Sequence, residues 1–129
     1  MGERKRILMV DDHFVVAMVV KQMLGDESFD YLEASNGDHA LSILETEQVD
    51  LILCDFNMPG MDGLEFCGHK NENPATRNIP IIMVTASRTA KEKAAAAQIG
   101  IPHWLEKPLK KDQLLNMVQT VLGLQLERW

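Results

Sequence analysis

Polar residues that could carry out phosphoryl chemistry follow four of the five apolar, strand-like segments of the chain. These positions hold Asp11 and Asp12, then Asp55, Thr85 and Lys107. Three carboxylates that lie close together repel one another unless a cation lies between them. Carboxylate oxygens, with room left for water and phosphate oxygens, suit Mg2+ better than a transition metal. The pattern therefore predicts a magnesium site that handles a phosphoryl group.

Each of these residues also has an ordinary structural interpretation. Asp11 or Asp12 would cap the helix that follows. Thr85 would be a hydroxyl at a strand end, and Lys107 a solvated surface charge. Together, however, a candidate nucleophile, metal ligands, a hydroxyl and a cation form the group that phosphoryl transfer needs for positioning and charge neutralisation. The combination, rather than any single residue, favours the functional interpretation.

The elements that must position these residues alternate between strand and helix. Apolar runs predict strands at 6–10, 30–34, 50–54, 79–84 and 103–105, and amphipathic spacing predicts helices at 13–25, 37–47, 63–72, 88–99 and 110–122. The first, third and fourth strands are apolar almost throughout, which is typical of strands covered on both faces. The expected fold is a doubly wound α/β fold with a parallel sheet, in which ligands bind at the carboxyl ends of the strands.

Composition excludes several classes of protein. The 129 residues suffice for one domain, and a net charge of -6 argues against a protein that grips nucleic acid through clustered basic residues. No apolar run reaches the length of about 20 residues that spans a bilayer, and the N-terminus lacks the apolar segment of a signal peptide. We therefore expect a cytoplasmic location, and reduced cysteines at Cys54 and Cys67 that serve packing.

Four motifs resemble the receiver domain of bacterial two-component response regulators. They are "VDD" at 10–12, "CDFNMPGMDG" at 54–63, "IPIIMVTA" at 79–86 and "EKPL" at 106–109. The resemblance extends over nearly the whole chain, with the motifs in the order and spacing typical of receivers. It implies a flavodoxin-like (βα)5 fold with strand order 2-1-3-4-5. It also implies a single receiver domain over residues 1–129, for which a stand-alone regulator is preferred to a receiver cut from a longer protein.

The resemblance assigns the phosphoacceptor and the metal ligands. Asp55 would take a phosphoryl group from the phosphohistidine of a sensor histidine kinase or a histidine phosphotransfer protein. Asp12, Asp55 and the backbone carbonyl of Asn57 would bind Mg2+, and Asp11 would act through a coordinated water. The side chain of Asn57, together with Ser87, would help to set the lifetime of the aspartyl phosphate.

The resemblance also implies a switch. Lys107 would pair with a phosphoryl oxygen, with its bond to Pro108 in the cis form so that the lysine points inward. The Thr85 hydroxyl would move to the phosphoryl group, and the Trp104 ring would turn into the vacated space. Most relatives carry Tyr or Phe at the latter position. The Trp of this chain is larger, and its N–H prefers a partner when buried, so its inward rotamer is expected to be less accessible.

Two surfaces are expected to meet partners. The predicted first helix places Val16, Val19, Val20 and Met23 inward, which leaves Phe14, Val15, Ala17 and Met18 outward. We interpret Phe14, Val15 and Met18, with Pro108, as a docking patch for the phosphodonor; the alternative is packing against a neighbouring element or a homodimer. The fourth helix, fifth strand and fifth helix would form the output face for a downstream protein, including a phosphorylation-linked dimer.

Three other functions remain as alternatives. A haloacid-dehalogenase-type phosphatase needs a second aspartate two residues after the nucleophile, where this chain has Asn57. A flavin-binding module needs a phosphate-binding loop after the first strand, and none is present. A degenerate receiver, used only as a constitutive interaction module, is disfavoured because the acidic residues and Lys107 are all present. We therefore expect a signalling domain rather than an enzyme, and we interpret His13 as a surface residue.

Overall fold

The apolar runs of the sequence form the strands of one parallel sheet. The computed structural model describes residues 4–25, 27–86, 94, 97–98, 100–101 and 103–123. The strands are β1 (Lys5–Val10), β2 (Phe29–Ala34), β3 (Leu51–Asp55), β4 (Ile81–Thr85) and β5 (Trp104–Glu106). Their order in the sheet is β2-β1-β3-β4-β5, and every pairing is parallel. The predicted fold class and strand order are confirmed.

In the described part of the chain, a helix with assigned bounds follows each of four strands. They are α1 (Phe14–Leu24), α2 (Gly37–Thr46), α3 (Gly63–Glu72) and α4 (Lys111–Leu122). The last of these corresponds to the fifth predicted helix. Of the predicted fourth helix, 88–99, the structure describes residues 94, 97 and 98, which are helical and exposed; the rest of that prediction lies outside the described residues.

Two hydrophobic clusters cover the two faces of the sheet. In β1, Leu8 and Val10 join the cluster that α2 and α3 cover, whereas Ile7 and Met9 join the cluster that α1 and α4 cover. All four side chains are almost completely buried. Burial of each such side chain contributes about 1.5–3 kcal/mol. This alternation explains why a strand covered on both faces is apolar at every position.

The last three strands end one residue later than predicted. The backbone of Asp55 still pairs with Val84 on β4, and that of Thr85 pairs with Glu106 on β5. Both residues are therefore the final members of their strands rather than the first residues beyond them. The hydrogen-bonded ladder thus holds the backbones of two predicted site residues directly.

One prediction for α1 is wrong. The buried residues of this helix are Ala17, Val20 and Leu24, so Ala17 faces the core and not the solvent. The stripe that α1 buries is centred one residue later than the valine pattern indicated, which brings the small side chain of Ala17 into the core cluster. The exposure of Phe14, Val15 and Met18 is as predicted.

Candidate functional site

Carboxylates gather where β1 and β3 end. One ligand atom each from Asp11, Asp12, His13 and Asp55 lies within 4.8 Å of all the others. Asp11 and Asp12 directly follow β1, and Asp55 is the last residue of β3, the neighbouring strand. Parallel strands bring their carboxyl ends to the same edge of a sheet, which is why residues more than 40 positions apart meet here.

Asp55 is the most deeply buried member of this group, with 3% of its surface exposed. Its Oδ1 accepts a hydrogen bond from the backbone N–H of Asn57 at 3.1 Å, and its Oδ2 lies 3.5 Å from Nζ of Lys107. Burial, and secondarily the charge of Asp11, raise the pKa of Asp55, and these two contacts only partly offset the rise. The ionised carboxylate is therefore under-compensated by the protein around it.

The acidic pair after β1 does not cap α1. The N-cap is His13, and its side chain makes no capping hydrogen bond. Asp11 is held in place instead: its N–H donates to the carbonyl of Ala34 at 3.0 Å, and its Oδ1 accepts from the N–H of His13 at 2.8 Å. The capping interpretation is therefore wrong, and the side chains of Asp11 and Asp12 face the cluster.

Lys107 brings a positive charge to this edge. Its N–H donates to the carbonyl of Thr85 at 2.8 Å, and its peptide bond to Pro108 is cis, as the family resemblance implied. Its Nζ lies 3.5 Å from Asp55 and 3.9 Å from Asp11. Among the described residues, one lysine thus contacts two of the three carboxylates, and the cluster keeps an excess of negative charge.

Thr85 and Trp104 lie on adjacent strands. Thr85, at the end of β4, is fully buried, whereas Trp104 at the start of β5 is half-buried. The Trp104 ring packs on Phe56 with 5.4 Å between ring centroids, and its indole N–H donates to the carbonyl of Ile101 at 3.2 Å. Ser87, the other residue of this region that the resemblance singled out, lies outside the described residues.

The turn after Asp55 depends on a close backbone approach at Gly63. A Cβ at this position would lie 2.9 Å from both the carbonyl oxygen of Asp55 and Cα of Phe56, and 2.8 Å from Sδ of Met83. Any larger residue would push on the backbone of Asp55. The N–H of Gly63 donates to the carbonyl of Phe56 at 3.0 Å, which closes the turn beside the exposed Asn57.

His13 is exposed at the surface, as predicted, and its imidazole also lies beside the acidic pair. Its Nδ1 lies 3.1 Å from Oδ1 of Asp12 and 3.5 Å from Oδ1 of Asp11. Adjacency to the acidic pair was the signal available in the sequence. Adjacency alone could not show that the imidazole lies beside the aspartates, because the direction of this side chain depends on the residue at which α1 begins.

An apolar surface adjoins the site. Phe14, Val15 and Met18 are 72%, 55% and 55% exposed, respectively. A groove of about 230 Å3 runs beside them and is lined by Val15, Val16, Val19, Lys107, Pro108 and Leu109. Since Lys107 contributes to both the groove and the acidic cluster, the apolar surface and the site are continuous.

Comparison with known proteins identifies the family. The family described as "Response regulator receiver domain" matches residues 7–119, and the chain belongs to it. It is therefore a receiver domain of the two-component response regulator type. It is 35% identical over 124 residues to the sensor histidine kinase GacS of Pseudomonas protegens, a match that covers 94% of this chain and 14% of GacS.

Two further matches agree. The phosphate regulon transcriptional regulatory protein PhoB of Escherichia coli is 30% identical over 118 residues, which cover 92% of this chain and 52% of PhoB. The structure of the Vibrio cholerae chemotaxis protein CheY4 superposes with a TM-score of 0.85 at 29% identity, and the match covers 92% of this chain and 99% of that one. The chain thus spans about half of PhoB and a small part of GacS. In the described part of the chain, no helix has the length and apolar character needed to cross a membrane.

Proposed function

We propose that Asp55 accepts a phosphoryl group from the phosphohistidine of a partner protein and that this modification switches a protein-binding surface. One observation carries the proposal. A nearly buried carboxylate, whose pKa is raised by burial and by Asp11, ends a central strand within 3.5 Å of the Lys107 ammonium. Such a carboxylate is rigidly placed and able to attack, and the ammonium is placed to receive developing negative charge.

The donor set fits Mg2+. Carboxylate oxygens of Asp11, Asp12 and Asp55 lie within 4.8 Å of one another, and in the described part of the chain Lys107 is the lysine that pairs with them, so they keep net negative charge. Asp12 and Asp55, with the backbone carbonyl of Asn57, would hold the ion, and Asp11 would act through a water molecule. When bound, Mg2+ would neutralise the carboxylates and the charge on the oxygens of the transferred group.

The chain's own residues position the transfer. One carboxylate oxygen of Asp55 forms a bond to phosphorus while the bond from phosphorus to the donor imidazole nitrogen breaks, and the imidazole leaves with that electron pair. The N–H of Asn57 holds Oδ1 of Asp55, and Lys107 would pair with a phosphoryl oxygen. The side chain of Asn57 is exposed beside Asp55, where it would influence how water reaches the aspartyl phosphate, together with Ser87.

The proposed switch joins Thr85 and Trp104. The Thr85 hydroxyl would move to the phosphoryl group, and the Trp104 ring would follow into the vacated space. In the observed conformation the indole N–H is bonded to the carbonyl of Ile101 and the ring packs on Phe56. Rotation of the ring breaks that hydrogen bond, at a cost of about 1 kcal/mol if no new acceptor is found. The output face would include the groove of about 830 Å3 between β5 and α4, which Trp104 lines.

The proposed phosphodonor docks on the apolar surface of α1. Phe14, Val15 and Met18 are exposed, and the groove beside them reaches Lys107 and Pro108. A partner that covers this surface brings its phosphohistidine to the edge where Asp55 lies. Continuity with the site supports a phosphohistidine protein as the occupant, in preference to a second copy of this chain.

The test of the function is intact mass after incubation with acetyl phosphate and Mg2+. We expect one phosphoryl adduct on the wild type, none on Asp55→Asn and none with EDTA. Asp50→Asn is the matched control, because Asp50 precedes the same strand at its opposite end, and it should be modified like the wild type. Absence of an adduct from wild type with Mg2+ would favour the constitutive interaction module. Sustained release of phosphate from many donors would indicate a phosphatase.

The docking surface has its own test. Phe14→Ser should slow transfer from the phosphorylated histidine kinase or phosphotransfer protein that modifies the wild type fastest, by about tenfold, since it removes a large apolar contact. Modification by acetyl phosphate, which needs no docking, should change less than about twofold. Equal slowing with both donors would show that Phe14 has a structural role and does not contribute to docking.

A further inference from the structure

The imidazole of His13 changes the chemistry of the acidic cluster. Oδ1 of Asp12 lies 3.1 Å from Nδ1 of His13, and Oδ1 of Asp11 lies 3.5 Å from the same nitrogen. The three residues are consecutive in the sequence, and all belong to the group whose ligand atoms lie within 4.8 Å of one another. The carboxylates alone would offer a metal ion only oxygen ligands. His13 adds a nitrogen ligand to this site.

These separations match those of neighbouring ligands on one small metal ion. Zinc binds imidazole nitrogen and carboxylate oxygen at about 2.0–2.2 Å, so two adjacent ligands on the same ion are roughly 3.0–3.5 Å apart. Nδ1 of His13 meets this condition with both aspartates. An imidazole nitrogen beside carboxylates favours zinc, cobalt or nickel, whereas Mg2+ prefers oxygen ligands throughout.

The surroundings leave room for such an ion. The side chain of His13 is 69% exposed and that of Asp12 is 27% exposed, so both can be reached from solvent. A cleft of about 350 Å3 is lined by Asp11, Asp12, His13, Phe14, Ser35 and His39, among others. Water molecules in this cleft could complete the coordination of an ion held by three protein ligands.

We propose that Asp11, Asp12 and His13 form a site for a divalent first-row transition ion, with zinc as the reference ion, and that His13 gives this site its preference over Mg2+. The inference rests on the proposed function, because it uses the carboxylates assigned there to the Mg2+ site. The ion and Mg2+ would compete for Asp12, so the metal available to the cell would decide which ion occupies the receiver.

The experiment is calorimetric titration of the wild type and His13→Ala with Zn2+ and, separately, with Mg2+. We expect His13→Ala to bind Zn2+ about tenfold or more weakly, with Mg2+ affinity changed less than about threefold. His69→Ala is the matched control. His69 also faces a carboxylate, with Nδ1 3.6 Å from Oε1 of Glu72, but the described residues include no metal-binding cluster there. This variant should bind Zn2+ like the wild type.

A second measurement uses the wild type alone and so does not depend on whether a variant folds. Zn2+ should shift the imidazole 15N NMR signals of His13 at lower concentration than those of His69. Equal Zn2+ affinity of wild type and His13→Ala, or equal weakening in His69→Ala, would overturn the inference, as would an unshifted His13 signal. None of these results tests phosphorylation. Failure of the proposed function would appear in a different measurement, as a missing Mg2+-dependent phosphoryl adduct on the wild type.

Discussion

The amino edge and the carboxyl edge of the sheet both carry charged groups, but they differ in how those groups are paired. At the amino edge, Asp50 and Arg6 exchange two hydrogen bonds: Oδ2 of Asp50 accepts from the N–H of Arg6 at 2.8 Å, and the N–H of Asp50 donates to the carbonyl of Arg6 at 2.9 Å. Arg6 also pairs with Glu47 at 3.0 Å, and Arg4 pairs with Asp30 at 3.7 Å. These three acids are each paired: Asp50 with the backbone of Arg6, Glu47 with the Arg6 guanidinium, and Asp30 with Arg4.

Among the described residues, the charges of the carboxyl edge are not balanced in this way. Lys107 contacts Asp55 and Asp11, and the His13 imidazole contacts Asp12 and Asp11. Burial raises the pKa of Asp55. An acid that has a partner stabilises the fold, whereas an acid held without enough compensation weakens the fold and is ready to bind a cation or react. This difference separates the structural edge from the functional one and can be tested by equivalent substitutions at both.

Loss of Lys107, the lysine that pairs with Asp55 and Asp11 at the carboxyl edge, should have the largest effect. Lys107→Ala should slow modification by acetyl phosphate about 100-fold, because no other lysine or arginine among the described residues pairs with Asp55 to receive the charge that develops on the phosphoryl group. The initial rate of adduct formation by mass spectrometry measures this. Lys111→Ala, an exposed lysine at the start of α4, is the control and should react like the wild type. A Lys107→Ala rate within about threefold of wild type would contradict the role of the ammonium.

Mg2+ binding should depend on the carboxyl edge of the sheet and not on the amino edge. At ten times its dissociation constant, Mg2+ should raise the free energy of unfolding of the wild type by about 1.4 kcal/mol, because it binds only the folded protein. Asp12→Asn should abolish this gain, and Asp50→Asn at the amino edge should keep it. Thermal unfolding with and without Mg2+ gives both values, and a gain that survives in Asp12→Asn would place the ion elsewhere.

The same substitution should have opposite effects on stability at the two edges. Asp55→Asn should raise the melting temperature at pH 7 by about 2–5 °C, since it removes a buried charge, whereas Asp50→Asn should lower it by a similar amount, since it weakens a charge-assisted hydrogen bond. Thermal unfolding in the absence of Mg2+ measures both. A destabilised Asp55→Asn would show that the contact with Lys107 outweighs burial.

The pH dependence of this effect has a defined sign. The pKa of Asp55 is raised in the folded protein, so its protonated form favours folding, and that contribution is lost as the pH rises through the raised value. The advantage of Asp55→Asn should therefore be complete above this pKa and shrink toward zero at about pH 4 and below. An advantage that does not vary with pH would mean that the charge of Asp55 is not its cause.

The smallest effect should come from the exposed pair at the amino edge. Glu47→Ala removes the partner of the Arg6 guanidinium, but both side chains are more than 40% exposed. Solvent and salt screen such pairs, so the free energy of unfolding should fall by less than about 1 kcal/mol. Urea unfolding at low and high salt measures this change in free energy. A larger decrease that salt does not reduce would show that the pair is not a screened surface ion pair.

Part of this site was predictable, because the hydrophobic period of each segment and the order of the segments along the chain are enough to place it. Alternating strand and helix patterns indicate a parallel sheet, and a parallel sheet brings Asp11, Asp12, Asp55, Thr85 and Lys107 to one edge whatever the details of packing. Other parts were not predictable. The burial of Ala17 and the approach of His13 to the aspartates depend on the exact residue at which α1 begins, and a shift of one residue turns a helical side chain by about 100°.

The sequence by itself determined which chemical groups the chain has and at which strand ends they lie, because hydrophobic periodicity and turn residues are local properties. Only the tertiary structure decided which of those groups are compensated. Burial of Asp55, the distances to Lys107 and the position of His13 arise from packing between segments far apart in the chain. Electrostatic energies depend on those distances and on exclusion of water, and neither can be read from sequence spacing.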